Sequence, residues 1–280
     1  MTHPSAYLHR SYVKEVIPAH TGPPWSLQAL ETSISKGPHA LVCTPEMTAF
    51  VWGEIQRRIK DGFNILLPAA DAIRLFGEKL KISCITAVLQ SHHHPRLFLD
   101  LLEKPYSDTP SVNESTDREA TPESLQFGRS FPRILQAVWE ADPVQDPFWV
   151  SNLDVTDAYH RGTIKPFRMG TFAYVIPSAP GVEDRIICIN LVLPMGWLDS
   201  PNFFCMLLEI LIDMANALVD TDLPVPSYAA ISKIPSTGPV PPHTPEIVTH
   251  TYFYMDDIIS LVQGDPYQQH QVCYGAVRSL

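Results

Sequence analysis

Two adjacent carboxylates, Asp256 and Asp257, lie in a stretch of β-favouring and mostly apolar residues that runs from Thr251 to Val262. This pattern predicts a strand, a tight turn that holds both carboxylates, and a second strand. Carboxylates between buried strands need neutralisation. Bound divalent cations can provide it, because Mg²⁺ prefers carboxylate and phosphate oxygens as ligands. A solvated β-turn would accommodate the same residues, since Asp is common in turns.

A third carboxylate follows another predicted strand about a hundred residues earlier in the chain. Residues 148–153 (Phe-Trp-Val-Ser-Asn-Leu) are mostly β-favouring, Asp154 comes at their end, and Asp157 lies three residues later. Asp157 would also suit the N-cap of a helix, whereas Asp154 at the end of a rigid strand suits a metal site. Together with Asp256 and Asp257, Asp154 can hold two Mg²⁺ ions about 3.5–4 Å apart, the arrangement that catalyses in-line displacement at phosphorus.

The segment between these carboxylates combines a turn with a helix. It reads Leu-Pro-Met-Gly-Trp-Leu-Asp-Ser-Pro at residues 193–201, and an apolar run continues to residue 219. Ser200 can cap the helix and Pro201 suits its first turn. Gly196 permits close approach of the backbone to another group, or is an ordinary loop glycine. Apolar residues at helical spacing predict a core face, made of Phe204, Leu207, Leu208, Leu211 and Ile212.

These three blocks, in this order, resemble the palm motifs of the reverse transcriptases of retroviruses and retrotransposons. Leu-Asp-Val-Thr-Asp-Ala-Tyr at residues 153–159 resembles the first motif, residues 193–201 the second, and Tyr-Met-Asp-Asp at residues 254–257 the third. Pro-Arg-Leu-Phe-Leu-Asp-Leu at residues 95–101 is similar to the fingers strand of that family. The resemblance covers roughly residues 60–275. It implies an α+β right-hand polymerase fold, with fingers and an antiparallel palm sheet packed on helices, and with the thumb missing.

The resemblance also implies roles for individual residues. Asp154, Asp256 and Asp257 would be the catalytic carboxylates and would bind two Mg²⁺ ions, or Mn²⁺ in their place. Tyr159 would exclude a 2′-hydroxyl beneath the sugar, unless it is a core tyrosine. The other expected substrate contacts are Arg96 at the triphosphate, Gly196 near the nascent base pair with its neighbour Met195, and Tyr254 and Met255 near the primer terminus.

Two features depart from the family pattern. Many retroviral members have a glutamine at the position of Met195, although retrotransposon members have apolar residues there. The lysine that precedes the fingers arginine has no obvious counterpart, because Ser-His-His-His occupies residues 91–94. Either triphosphate binding is weak, or Lys79 or Lys81 replaces this lysine from a shifted loop. Consecutive histidines point in different directions, which makes this run a poor metal site.

Composition limits the class of protein. Of 280 residues, 45% are hydrophobic, which is enough for a core. No apolar run reaches membrane-spanning length and no secretory signal is visible. Five cysteines without Cys-x-x-Cys spacing indicate reduced thiols in an intracellular protein, cytoplasmic or nuclear. The net charge of −10 opposes nucleic-acid binding. A local basic patch would still allow such binding. The alternative is that the same basic residues form a solvated helix face. They are Arg57, Arg58, Lys60, Arg74, Lys79 and Lys81.

We expect three regions along the chain. Residues 1–40 are interpreted as an irregular lead-in, residues 41–147 as fingers and the fingers–palm connection, and residues 148–280 as a palm that is truncated before the thumb. A Pro-rich stretch at residues 220–248 interrupts this palm, as a surface insertion, a partner-binding segment or a sign of degeneration.

Local patterns predict the elements of these regions. A helix is predicted after Thr44-Pro45, and Gly62 can end it. An antiparallel strand pair is predicted at 81–90 and 96–102, with a turn at 91–95, and two further strands at 171–176 and 185–191. A second helix is predicted at 124–140, bent or interrupted at Pro132.

The expected function is RNA-directed DNA polymerisation by a retroelement enzyme. A primer 3′-hydroxyl would attack the α-phosphate of a deoxynucleoside triphosphate, so the partners would be dNTPs and an RNA or DNA template-primer. One alternative is a catalytically silent retroelement remnant that acts at most as a nucleic-acid or protein binding module. Another is a palm enzyme that uses ribonucleotides, and the bulky Tyr159 disfavours it.

Overall fold

The structure, a computed structural model, describes residues 22–90, 93–117, 127–141, 148–178, 184–205, 207–208, 211–212, 249–254 and 257–263. They form a mixed α+β fold, and the chain divides into two compact units that alternate along the sequence. The five-stranded unit takes its described residues from 16–121 and 159–200, and the three-stranded unit takes them from 122–158 and 201–280. The predicted functional boundaries after residues 40 and 147 stay predictions.

Within the described residues, the main elements in chain order are four helices and eight strands, and residues 200–205, 207–208 and 211–212 are helical as well. The helices are α1 Leu27–Lys36, α2 Pro45–Lys60, α3 Ala69–Phe76 and α4 Phe127–Glu140. The strands are β1 Asn64–Pro68, β2 Ile82–Gln90, β3 His93–Asp100, β4 Phe148–Asp154, β5 Ala173–Val175, β6 Ile186–Asn190, β7 Thr249–Tyr254 and β8 Asp257–Gln263. Short 3₁₀ segments add Ala40–Cys43, Gly77–Lys79, Ala158–Arg161 and Pro166–Phe172.

The sheet of the five-stranded unit is mixed and has the order β1-β6-β5-β2-β3. The β2–β5 pair is parallel and the other pairs are antiparallel. The strands at 171–176 and 185–191 are confirmed as the antiparallel pair β5–β6. Trp25, Leu30 and Ala72 pack on this sheet, against buried residues such as Ile187 and Ile189. Their removal from water stabilises the unit.

Helix α1 corrects the predicted lead-in, because residues 27–36 are not irregular. The Oγ of Ser26 accepts a hydrogen bond from the N–H of Ala29 and caps the helix. Ala29, Leu30 and Ser33 are buried on one side. The Pro- and Gly-containing residues around this ten-residue helix obscure the short apolar pattern.

Helix α2 confirms the prediction after Thr44-Pro45. Thr44 caps it, Pro45 is in its first turn, and Val51 and Ile55 are buried on one face. The helix ends at Lys60, and Gly62 follows with a left-handed φ of 79°. Glycine adopts this backbone conformation without steric cost.

Strands β2 and β3 confirm the predicted antiparallel pair with a shorter turn than expected. Strand β3 already begins at His93, so only Ser91 and His92 lie between the strands, outside the described residues. The register shifts between Val88 and Gln90. Pro95 has no N–H to donate to a ladder, and an irregular edge strand tolerates it.

The three-stranded unit contains an antiparallel sheet of order β4-β8-β7. Helix α4 packs on it through Ile134 and Ala137, which contact Leu261. The described part of this helix runs from Phe127 to Glu140 without interruption at Pro132, which confirms the predicted helix at 124–140 there. Residues 124–126 lie outside the described residues. Residues 200–205, 207–208 and 211–212 are helical, and Phe204, Leu208 and Ile212 are buried, as expected for a core face.

Two further observations concern the predicted class of protein. Within the described residues, none of the helices combines the length and apolar character that crossing a membrane would require. The four described cysteines are free thiols, and burial raises the pKa of both Cys84 and Cys188 to about 11. These two thiols are therefore protonated at neutral pH and react slowly.

Candidate active site

Strands β7 and β8 carry the predicted carboxylate motif. Their register pairs Tyr254 with Asp257 and Phe253 with Ile258, so the strand–turn–strand prediction is confirmed for both strands. Two residues of sequence, Met255 and Asp256, connect Tyr254 to Asp257 and lie outside the described residues. Their expected roles, like the side-chain role of Tyr254, stay predictions.

Strand β4 brings the third carboxylate to the same place. In the antiparallel register of β4 and β8, Asp154 is directly opposite Asp257. Residues that face each other in this way project from the same side of a sheet, with Cβ atoms about 4.5–5.5 Å apart. Asp154 is exposed and Asp257 is half-buried. Two carboxylates a hundred residues apart in sequence therefore share one end and one face of the three-stranded sheet.

Asn152 is a polar neighbour that the sequence pattern did not identify. Its Nδ2 donates a hydrogen bond of 3.1 Å to Oδ1 of Asp257. Asn152 lies two residues before Asp154 and so occupies the same face of β4. Strand alternation would have placed it on this face, but only the register shows that it reaches Asp257. The bond orients the Asp257 carboxylate.

The oxygen atoms of this pair are suitable ligands for a hard divalent cation. Carboxylate oxygens are the donors that Mg²⁺ and Mn²⁺ accept, and both carboxylates reach solvent. No group of three or more His, Cys, Asp or Glu residues in the described part of the chain forms a metal-binding cluster. Asp154 and Asp257 supply two of the three predicted ligands, and Asp256 is outside that part.

Asp157 has an unusual backbone for its position after β4. Its φ is 54°, in the left-handed region. Asp tolerates this conformation better than most residues do, but a helix N-cap normally has an extended backbone. Tyr159 follows in the 3₁₀ segment Ala158–Arg161 and is half-buried. Its expected role against a 2′-hydroxyl stays a prediction.

Arg96 lies on β3, which is an edge strand of the five-stranded sheet. Its register partner is Val88, and the side chain is exposed. Among the described residues, no carboxylate forms an ion pair with Arg96. An exposed guanidinium of this kind is available to an anionic ligand.

The turn at residues 194–200 is held firmly by its own unit. The buried Asn113 donates from Nδ2 to the carbonyl of Gly196 (2.9 Å), and its Oδ1 accepts from the N–H of Leu198 (3.1 Å). Ser200 donates to the carbonyl of Pro194 (2.7 Å), and Trp197 to the hydroxyl of Thr116 (3.0 Å). The hydroxyl of Ser200 therefore bonds to the turn, whereas the sequence suggested a helix cap.

Gly196 makes the close approach that the sequence suggested, and its partner is the chain itself. Its φ is 106°, and a Cβ built at this position would lie only 2.5 Å from the carbonyl oxygen of Leu99 on β3. The adjacent Met195 side chain is 42% exposed and lines a small pocket that also includes Arg58 and Asn190. An exposed Met195 is accessible to a ligand, while Gly196 allows the turn to pack on β3.

Three of the six residues of the predicted basic patch are buried or paired with a carboxylate. Lys81 is 2% exposed, its Nζ donates to Ser115 Oγ (3.5 Å), and it lies 5.9 Å from the centroid of the Trp25 ring. Arg57 pairs with Glu54 and Asp61, and Arg74 pairs with Asp71. Lys81 is therefore too buried to replace the missing fingers lysine, whereas Lys79 is exposed.

Burial of Lys81 predicts an unusual dependence of stability on pH. Burial, assisted by the charge of Arg168, lowers the pKa of Lys81 from 10.5 to about 8. Between pH 8 and pH 10.5 Lys81 is protonated in the unfolded chain but not in the folded one. The contribution of Lys81 to the free energy of unfolding therefore increases with pH over this range. Below pH 8 both states carry the proton, and the penalty of burying the charge is constant.

We therefore expect Lys81→Met to be more stable than the wild type at pH 7, and the difference to decrease from about pH 8 towards pH 10.5. Urea denaturation of both proteins across this range measures it. The buried Cys188 thiol has the opposite effect, because its raised pKa lowers the free energy of unfolding at high pH. Both proteins contain this thiol, so its effect cancels in the difference between them. A difference that stays constant with pH would contradict the prediction.

Comparisons with known proteins add no family assignment. No model of a known protein family matches this chain, and no curated protein matches it significantly.

Proposed function

We propose that this chain is the fingers and palm portion of an RNA-directed DNA polymerase from a retroelement. The observation that supports the proposal most strongly is the register of β4 and β8, which sets Asp154 directly opposite Asp257. The three motifs resemble palm motifs in sequence, and the first and third of them meet on one sheet. If the resemblance were a coincidence, the first and third motifs would not be expected to pair residue by residue in one sheet.

In this proposal the carboxylates of Asp154 and Asp257, with Asp256, hold the metal ions. The donor set fits Mg²⁺ or Mn²⁺, because it consists of exposed or half-exposed carboxylates. Bound Mg²⁺ would lower the barrier to attack by the primer 3′-hydroxyl and stabilise the charge of the leaving pyrophosphate. Asn152 orients Asp257 through its 3.1 Å hydrogen bond.

The substrate residues have separate functions. The exposed Arg96 binds the triphosphate as a bidentate donor. Tyr159 excludes the 2′-hydroxyl of ribonucleotides by its size. Met195 and Gly196 belong to a turn whose backbone Asn113 holds in place, which would keep a contact surface for the nascent base pair in a constant shape.

Primer extension on an RNA template with deoxynucleotides and Mg²⁺ tests the function. We expect extension by the wild type, loss of extension in EDTA, and loss of extension in Asp154→Asn. Replacement of Asp108, an exposed aspartate of the five-stranded unit, by Asn is the matched control and should leave extension unchanged. Equal extension by the wild type and Asp154→Asn would reject the proposal.

A catalytically silent retroelement remnant is the second candidate. The net charge of −10 and the burial of Lys81 favour it, because both reduce the positive charge available to nucleic acid. A folded wild-type chain that gives no extension with any template or metal would support this candidate.

A further inference from the structure

Three cations surround one exposed aromatic ring in the five-stranded unit. The Nζ of Lys79 lies 5.4 Å from the centroid of the Phe167 ring, the Nζ of Lys165 lies 6.0 Å from it, and the Cζ of Arg168 lies 5.4 Å from it. The Phe167 side chain is 49% exposed. Lys79 comes from the 3₁₀ segment Gly77–Lys79, and the other residues lie in or beside Pro166–Phe172. We call these four residues the Phe167 cluster.

The cluster differs from those basic residues of the unit that are neutralised by a carboxylate. Lys36, Arg57, Arg74 and Lys104 each form an ion pair with a carboxylate. Within the described part of the chain, neither Lys79 nor Arg168 has a carboxylate within ion-pair distance. In addition, Nε of Arg168 is buried without a hydrogen-bond partner there. A protein of net charge −10 has many acidic groups with which to neutralise these cations, yet among the described residues none forms an ion pair with Lys79 or Arg168.

This concentration of like charge is unfavourable unless something offsets it. Each cation gains roughly 0.5–1 kcal/mol from the face of an exposed ring, while three like charges near one ring repel one another. The charge of Arg168 reaches Lys81 as well and contributes to its lowered pKa. An anionic ligand with several charges would remove this repulsion at each cation at once.

We propose that the Phe167 cluster binds single-stranded nucleic acid, with phosphates at Lys79, Lys165 and Arg168 and one unpaired base stacked on the Phe167 ring. Grooves that bind single strands combine cations along the backbone with aromatic rings for the bases. A duplex offers phosphates but no free base face, and an anionic membrane or acidic peptide offers no base at all. The choice of nucleic acid among polyanions rests on the proposed polymerase function.

The test is fluorescence anisotropy with a labelled oligodeoxythymidine, in EDTA and without nucleotides, at several salt concentrations. Each phosphate contact contributes about −0.7 to the slope of log K against log salt for a single strand. We therefore expect Lys79→Gln and Lys165→Gln each to make the slope less negative by about 0.7. Phe167→Leu should keep the slope and weaken binding by about 5- to 150-fold, because it removes stacking. Arg74→Gln, an exposed cation paired with Asp71, is the control and should change neither quantity.

Three results would overturn the proposal. The first is unchanged binding by Lys79→Gln and Phe167→Leu with the fold intact by circular dichroism. The second is equal sensitivity to Phe167→Leu of a circular duplex, which has no terminal base pair. The third is binding of phosphatidylserine vesicles in preference to the oligonucleotide. Because EDTA removes metal-dependent chemistry, the outcome is separate from primer extension. A chain that binds the oligonucleotide through the cluster but extends no primer would retain this inference and lose the proposed function.

Discussion

Replacement of Asp257 by Asn is expected to reduce primer extension by about 10³-fold and, at the same time, to make the protein more stable. Metal ions held by carboxylates contribute several kcal/mol to charge stabilisation in the transition state, and about 4 kcal/mol corresponds to that factor in rate. Asp154 faces Asp257 directly in the sheet. Like charges in directly opposed positions destabilise by roughly 0.2–1 kcal/mol, so the free energy of unfolding should increase by a similar amount in metal-free buffer.

A double-mutant cycle of Asp154→Asn and Asp257→Asn separates this effect from general surface changes. Either single variant removes the same repulsion, so the two gains in stability should not add. Asp108→Asn, at an exposed position without an ion pair among the described residues, should be neutral in both measurements. Additive gains from the two variants, or a loss of stability in each, would show that the carboxylates do not repel each other.

Replacement of Gly196 by Ala is expected to destabilise the five-stranded unit by about 2–6 kcal/mol. The φ of 106° costs a residue with a Cβ about 1–3 kcal/mol. A Cβ placed 2.5 Å from the Leu99 carbonyl oxygen and 3.2 Å from the Phe98 ring must also displace β3, and overpacking of this kind costs about 1–3 kcal/mol. Urea denaturation followed by circular dichroism measures the change, which is a large fraction of a typical total stability.

Two other glycines of the unit isolate the causes. Gly62 has a φ of 79° and no atom within 4 Å of a built Cβ, so Gly62→Ala should cost only about 1–2 kcal/mol. Gly53 lies within α2 with a helical backbone and equal space, so Gly53→Ala should stabilise by about 0.5–1 kcal/mol. If Gly196→Ala lowered the free energy of unfolding no more than Gly62→Ala does, the packing of the turn on β3 would contribute nothing to stability.

Alternation and local composition predict the elements nearest the candidate site well. The runs around Asp154 and Asp257 are dense in β-favouring residues, and both form strands where expected. The helix from Pro45 was predictable because Thr44 and Gly62 mark its ends. These signals are local, so a single sequence contains them.

Features that depend on contacts across the fold were not predictable in this way. The hydrogen bond from Asn152 to Asp257 depends on the register of β4 and β8, and no local pattern encodes it. The burial of Lys81 reflects its position among Trp25, Ser115 and the backbone of Gly170, which come from three separate parts of the chain. Its neighbours in sequence resemble those of an exposed lysine.

The hydrogen bonds of Asn113 to the 194–200 turn limit which residues of the turn can be substituted. The side chain of Asn113 bonds to main-chain atoms of residues 196 and 198, while the side chains of Met195 and Leu198 are 42% and 41% exposed. The backbone course of the turn therefore does not depend on which side chains residues 195 and 198 carry. Substitutions at 195 and 198 can therefore accumulate and alter the exposed surface of the turn, whereas Asn113 and Gly196 must be retained for its backbone to keep its course. Variation of the surface that this turn presents would fall on the side chains of Met195 and Leu198, on a fixed backbone.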